Sequence, residues 1–232
     1  MNRTFFLKAA SVATLSSAAL AGSATTAQAQ SELNFEGAAL VRDQPGSGGA
    51  NLLIDFLVNG TTSGTPIGTV EAIQTIGEDF APGVMVGTDG TITDLVANSS
   101  GFVGLPVNPL LTIGGYTFTL TSAPSGNTFG PISLFDIGTG TIATFGVNGT
   151  VTGGEFGATT RNFTGAFSAQ FAGETPTQVF NAINTGGTRA VSFSAEFVVA
   201  PQQVIPEPST YALLATGIGA LGLVARRRRT QA

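Results

Sequence analysis

Residues 163–171 read Phe-Thr-Gly-Ala-Phe-Ser-Ala-Gln-Phe, and this segment carries the clearest structural pattern in the sequence. In an extended chain successive side chains point to opposite faces, so Phe163, Phe167 and Phe171 share one face with Gly165 and Ala169 between them. The polar and small side chains fall on the other face. Strict alternation of this kind predicts a half-buried strand whose phenylalanines face the core, not a displayed aromatic platform for a ligand.

The same alternation occurs elsewhere in the chain. Phe193, Ala195 and Phe197 alternate with two serines and a glutamate, and residues 116–121 place an aromatic and aliphatic face opposite three threonines. Further short apolar runs are separated by turn pairs, which is typical of a sandwich or barrel. We expect strands over residues 50–58 and 90–96, a hairpin of residues 142–147 and 150–156, and turns at Asn59-Gly60, Asp89-Gly90, Asn148-Gly149 and Gly186-Gly187.

One segment departs from the strand pattern. Thr175 can cap a short helix that has Pro176 in its first turn and ends at Gly186 or Gly187. Val179, Phe180 and Ile183 would share one face of it. The sequence therefore predicts an all-β fold, an antiparallel β-sandwich or jelly-roll-like domain with one short helix.

This acidic β-rich domain is expected to span residues 30–200. It contains three basic and thirteen acidic residues, a net charge of −10. Affinity for nucleic acid depends on lysine and arginine neutralising phosphates, so we expect no nucleic-acid partner. The chain has no cysteine, and a domain of this size can be held together by its hydrophobic core without disulfides.

Missing residue types exclude most catalytic chemistry. The chain has no histidine and no cysteine, which excludes a Ser-His-Asp triad and a thiol nucleophile. The body has no lysine, which excludes a Schiff base. Carboxylate acid–base chemistry remains open, as in glycoside hydrolases. The body has no tryptophan and a single tyrosine, which disfavours a sugar cleft, and we predict a protein that is not an enzyme. The carboxylates that could pair across a cleft are Glu71, Glu78, Asp79, Glu155 and Glu174.

Metal binding has a similarly weak basis. Glu78, Asp79, Asp89 and Asp94 lie close together in sequence, and their oxygens suit calcium. However, the chain contains no loop of the form D-x-[DN]-x-[DN]-G. We therefore expect neither a metal site nor a cofactor.

The amino terminus has the three parts of a secretory signal. Arg3 and Lys8 precede or enter a mild apolar region, and Ala27 and Ala29 supply the small residues that a signal peptidase recognises. Residues 1–29 are thus predicted to be a signal peptide, cleaved before Gln30. This predicts export through the general secretory machinery, with signal peptidase as a partner.

The carboxyl terminus predicts a linker, one apolar helix and a basic tail. Residues 201–209 contain the motif Pro206, Glu207 and Pro208, whose prolines keep the chain extended. Residues 210–225 are the predicted transmembrane helix, and its apolar run 211–225 would extend about 22 Å, less than the roughly 30 Å hydrocarbon core. The predicted cytoplasmic tail, residues 226–232, begins with four arginines that stop transfer and leave the body outside: Arg226, Arg227, Arg228 and Arg229.

These three elements, in this order, resemble the PEP-CTERM sorting signal of secreted proteins from exopolysaccharide-producing bacteria. The resemblance covers about twenty-six residues and begins with Val-Ile-Pro-Glu-Pro-Ser at residues 204–209. It implies transient retention in the inner membrane, recognition by an exosortase-type membrane enzyme, and processing at or near Pro-Glu-Pro before delivery to the cell surface or extracellular matrix. The body, particularly residues 142–171, diffusely resembles the Gly/Thr/Phe-rich β domains often attached to this signal, which brings no defined activity.

Together these features predict an exported surface or extracellular-matrix protein with a structural or adhesive, non-catalytic role. The alternative is a carbohydrate-binding or carboxylate-dependent carbohydrate-degrading module, for which exopolysaccharide would be the partner.

Overall fold

A computed structural model describes residues 30–58, 65–77, 80, 83–201, 215–218 and 221. Residues Ala29–Pro201 form one compact unit. Residues 215–218 and 221 are helical and exposed. No helix in the described part of the chain is long and apolar enough to cross a membrane. The predicted signal peptide and basic tail lie outside the described residues, as do most of the predicted linker and transmembrane helix.

The described body is built almost entirely of strands, because short apolar and threonine-rich runs alternate with glycine-containing turns. It has one α-helix, α1 (Pro176–Asn184), and a 3₁₀ turn at Gly154–Phe156. The strands are β1 (Ser31–Asp43), β2 (Asn51–Phe56), β3 (Ile67–Ile76), β4 (Asp89–Thr93), β5 (Leu95–Asn98), β6 (Gly101–Phe102), β7 (Val107–Ile113), β8 (Tyr116–Ser122), β9 (Ile132–Asp136), β10 (Gly140–Gly153), β11 (Arg161–Ala172) and β12 (Thr188–Val199).

All these strands belong to one antiparallel sheet that closes on itself. Eight of them form the ring, in the order β12-β11-β10-β8-β7-β4-β3-β1, and β1 pairs again with β12. The predicted all-β antiparallel class with one short helix is confirmed. The predicted sandwich would have two separate sheets, whereas here backbone hydrogen bonds continue around a single closed sheet.

The ring opens at one end because two long strands change partners along their length. β1 pairs with β3 over its first half and with β2 from Ala39 onward. In the same way β10 pairs with β9 up to Phe145 and with β8 from Asn148 onward. The sheet therefore splits between β2 and β9, and α1 packs against β1, β9, β10 and β12 at this end.

Phenylalanine rings fill the interior, as the alternation predicted. Phe163, Phe167 and Phe171 are buried, and the inward residues of β12 are buried between exposed serines and glutamate. Tyr116 and the two inward residues that follow it on β8 are fully buried as well. Phe197 lies at the centre, in contact with four rings at centroid distances of 4.7 to 5.7 Å.

The predicted helix is confirmed in position and in its capping. The Thr175 side chain accepts a hydrogen bond from the Gln178 backbone, and the Gln178 side chain accepts one from the Thr175 N–H, which completes a capping box. Val179 and Ile183 are buried, and Phe180 is half-buried against Phe129. Gly186 follows the helix at φ +83°, a conformation that glycine adopts without strain.

The predicted hairpin at Asn148-Gly149 is wrong, because residues 140–153 form one continuous strand, β10. The pair lies at the bulge where β10 passes from β9 to β8. A Cβ on Gly149 would lie 1.9 Å from the Thr119 carbonyl oxygen and 2.7 Å from the Phe163 ring. Glycine is therefore required here for close approach of the neighbouring strand and not for a turn.

Two smaller expectations also change. Gly90 lies within β4, so Asp89-Gly90 is not a turn, and the strand expected over residues 90–96 is interrupted at Asp94 into β4 and β5. The strand expected over residues 50–58 is β2, and that over 116–121 is β8. The Asn59-Gly60 pair lies outside the described residues.

Candidate functional site

Three charged side chains meet where β1, β2 and the β4–β5 junction come together. Arg42 Nη2 donates a hydrogen bond of 2.8 Å to Asp55 Oδ2, and the Asp55 side chain is only 1% exposed. Asp94 Oδ1 accepts a hydrogen bond of 2.8 Å from the backbone N–H of Phe56. We call Arg42, Asp55 and Asp94 the carboxylate–arginine cluster.

The cluster gives Asp94 an unusual protonation behaviour. Burial raises the pKa of Asp94 to about 6, and the nearby Asp55 carboxylate acts in the same direction. The hydrogen bond from Phe56 and the charge of Arg42 lower this pKa, but burial dominates. A carboxyl group that titrates near pH 6 can donate or accept a proton under ordinary conditions, which is the property required of a general acid.

Sequence reasoning identified Asp94 only as a calcium candidate and missed Asp55 and Arg42. No local sequence signal joins these residues, because Arg42 and Asp55 lie 13 positions apart and are brought together only by the pairing of β1 with β2.

Of the other calcium candidates, one falls within the described residues. Asp89 lies exposed on β4, directly opposite Glu71 of β3, whereas Glu78 and Asp79 lie outside the described residues. No group of three or more potential ligands that could hold a metal ion occurs within the described segments.

The described carboxylates proposed for a glycosidase pair are also dispersed. Glu174 forms an ion pair of 3.1 Å with Arg189, and its carbonyl oxygen accepts a hydrogen bond from Thr141 near the start of β10. Glu155 is exposed in the 3₁₀ turn beyond the other end of β10. At about 3.3 Å per residue, β10 separates these two regions by roughly 40 Å, so the two glutamates cannot face one another across a cleft.

Glu71 belongs instead to an acidic outer face. Glu36, Glu71 and Asp89 occupy directly opposite positions on β1, β3 and β4, and all three are exposed. Glu196 lies on the outer face of the neighbouring strand β12. Like charges directly opposite one another destabilise a sheet, so the repulsion among Glu36, Glu71 and Asp89 lowers the stability of the fold. Their exposure to solvent keeps the three carboxylates hydrated.

An apolar pocket of about 70 Å³ lies inside the open end of the ring, beneath α1, and we call it the α1 pocket. The rings of Phe145 and Phe167, stacked with centroids 4.5 Å apart, are part of its lining. Ala143 and Ala169 lie directly opposite each other in its wall, between β10 and β11.

The predicted sorting and processing residues lie outside the described residues. They comprise the signal-peptidase positions Ala27 and Ala29, the motif Pro206, Glu207 and Pro208, and the arginines Arg226 to Arg229. Their roles stay predictions.

Comparison with known proteins gives one finding. The search of curated proteins and the search of solved structures each return no match to this chain. Residues 204–229 match the family model described as the PEP-CTERM protein-sorting motif. The motif indicates an exported protein that is anchored at the membrane before it is processed by exosortase, a membrane enzyme. The predicted resemblance is therefore confirmed: the chain carries a PEP-CTERM sorting signal and is an exosortase substrate.

Proposed function

We propose that the protein is a structural or adhesive component of the bacterial surface or extracellular matrix, delivered there by its sorting signal, and that its body is non-catalytic. The observation that carries this proposal is the sorting motif at residues 204–229. It accounts for the secretory pattern at the amino terminus and for the basic residues at the other end.

The character of the body supports the proposal. Its described strands close into one sheet around a phenylalanine core, and the outer face carries hydrated carboxylates. Glu155 and Glu174 lie near opposite ends of β10, which argues against their acting as a catalytic pair. The net charge of −10 on the body disfavours non-specific association with other acidic molecules.

A localisation experiment tests this function. Cells expressing the full chain are fractionated into inner membrane, outer surface and matrix, and the body is detected by antibody. We expect the body in the surface or matrix fraction, and deletion of residues 204–229 should remove it from that fraction. If the deletion leaves the distribution unchanged, the sorting signal does not direct delivery.

The second candidate, a carbohydrate module that acts on exopolysaccharide, has one observation in its favour. Asp94, with its pKa of about 6 beside the Asp55 carboxylate, has the protonation behaviour of a general acid. Secreted protein is incubated with a polysaccharide panel and scored for retention and for new reducing ends. Retention alone favours a binding module, whereas release of reducing ends that Asp94→Asn abolishes favours the enzyme. Neither result is expected for the structural protein.

A further inference from the structure

We propose that the α1 pocket binds the end of an uncharged aliphatic chain. This inference concerns the body alone and does not depend on the sorting signal or on the surface role.

The space exists because two neighbouring strands place alanine where adjacent rows carry larger side chains. Ala143 and Ala169 face each other across β10 and β11, the next row inward is Phe145 and Phe167, and the next row outward contains Phe171. The backbone hydrogen bonds of β10 and β11 set the distance between these rows. Rotation of an alanine side chain cannot close the gap, so the cavity is a built feature of the sheet.

The lining restricts the chemistry of the ligand. Apart from Thr128, Ser168 and Asn184, every residue around the pocket is apolar. A charged group placed here would lose its hydration and gain few hydrogen-bond partners, whereas a hydrocarbon group would lose contact with water favourably. The bound group must therefore be non-polar.

The size of the pocket favours a chain end over a ring. A cavity of about 150 Å³ accepts benzene, and this one is about half as large. A linear aliphatic chain is narrow enough to enter with its terminal carbons against Phe145 and Phe167.

The pocket also has a mouth through which the remainder of the chain can leave. Leu52, Phe129, Phe180 and Asn184 are among the lining residues that keep partial solvent exposure, so the pocket is open to solvent. The net charge of −10 on the body repels a carboxylate or phosphate head group, whereas the Asn184 amide can hydrogen-bond to a neutral one. The ligand is therefore expected to be uncharged at this end.

Photoaffinity labelling of the full chain tests the proposal. The probe is a 1-octanol analogue with a diazirine at the end of its carbon chain, and labelled residues are located by mass spectrometry. We expect labels on pocket residues such as Phe145 and Phe167, and excess 1-octanol should compete them away. Pocket labelling in each sample is divided by the labelling of residues 210–225, which measures how much probe reached the protein.

Two alanines of β11 provide a matched pair of variants. Ala169→Leu fills the pocket and should reduce pocket labelling at least tenfold, whereas Ala166→Leu, on the exposed face of the same strand, should leave it unchanged. If Ala169→Leu lowers the unfolding temperature, Ala143→Val replaces it and must show the same loss. Equal labelling of the filled variant and the control, or labelling that 1-octanol does not displace, overturns the proposal.

A second arm identifies the source of the chain. The same diazirine is placed at the end of an acyl chain of phosphatidylcholine in vesicles. Pocket labelling by the free alcohol alone identifies a soluble ligand, and labelling from vesicles identifies a lipid chain. The absence of pocket labelling in both arms contradicts the inference.

Discussion

Replacement of Phe197 by alanine should destabilise the protein more than loss of any peripheral ring. Phe197 is fully buried on β12 and contacts the rings of Phe35, Phe118, Phe163 and Phe167. Its removal leaves a cavity in the centre of the ring of strands, bordered by side chains that are themselves held in place by the sheet.

The expected magnitude follows from burial and ring contacts. Truncation of a buried phenylalanine to alanine costs about 3–5 kcal/mol. Each favourable ring pair contributes roughly 0.5–1.5 kcal/mol beyond its buried area, which places Phe197→Ala in the upper part of that range, at about 4 kcal/mol. In a domain of this size 1 kcal/mol corresponds to about 2–4 °C, so the unfolding temperature should fall by roughly 8–16 °C.

The measurement is urea and thermal unfolding of the secreted protein, followed by circular dichroism. The matched control is Phe135→Ala, because Phe135 lies on β9 and its exposed fraction is 49%. The control should cost less than about 1 kcal/mol. The urea m-value of Phe197→Ala should equal that of the wild type, which confirms that only the stability has changed.

Gly165 provides an internal check on the geometry. A Cβ at this position would lie 2.4 Å from Phe197 Cδ1, so Gly165→Ala should cost about 1–3 kcal/mol by overpacking. In the Phe197→Ala background most of that cost should disappear, because the clashing ring is gone. Additive effects of the two substitutions, or a cost for Phe197→Ala no larger than that of the control, would refute this account of the core.

Three further predictions concern other parts of the chain. Burial raises the pKa of Asp94 to about 6, above the roughly 3.9 of an unfolded aspartate. Between these two pH values the folded state binds a proton that the unfolded state releases. The free energy of unfolding should therefore fall as the pH rises from about 4 to 6. Asp94→Asn should flatten that dependence in urea unfolding at pH 4.5, 5.5 and 7, and an unchanged slope would assign it to another group. Glu71→Lys should stabilise the sheet by about 0.5 kcal/mol at low salt and by less at 1 M salt, because Glu71 lies between Glu36 and Asp89 and the three carboxylates repel one another. Destabilisation at low salt would contradict this repulsion across β1, β3 and β4. Mass spectrometry of secreted material should find no peptides from residues 211–229, and recovery of these peptides would exclude processing near Pro206.

The local pattern of the sequence was sufficient for elements whose structure depends on neighbouring residues. Alternation at Phe163, Phe167 and Phe171 predicted an inward-facing strand because side-chain direction in a strand has a period of two. Thr175 and Pro176 predicted the start of α1 for a similarly local reason, since a capping box needs only residues within one turn. The sorting motif at residues 204–229 was also readable, because it is a contiguous signal.

Features that depend on distant pairing could not be predicted in this way. Asn148-Gly149 has the composition of a hairpin turn, but the glycine is needed for close approach of β8, 27 or more residues earlier in the chain. The carboxylate–arginine cluster likewise joins residues from β1, β2 and the β4–β5 junction. A single sequence does not state which strands become neighbours.

Composition and local pattern were enough to predict an acidic, cysteine-free β protein with a phenylalanine core and a PEP-CTERM sorting signal. These properties depend on composition, on a two-residue period and on one contiguous motif. The three-dimensional fold adds that the sheet closes through β1 and β12, that Asp94 is partly buried beside Asp55, and that Ala143 and Ala169 leave a pocket beneath α1. The reason is physical: strand order, burial and cavity volume arise from contacts between segments far apart in the chain, and local alternation is compatible with many such arrangements.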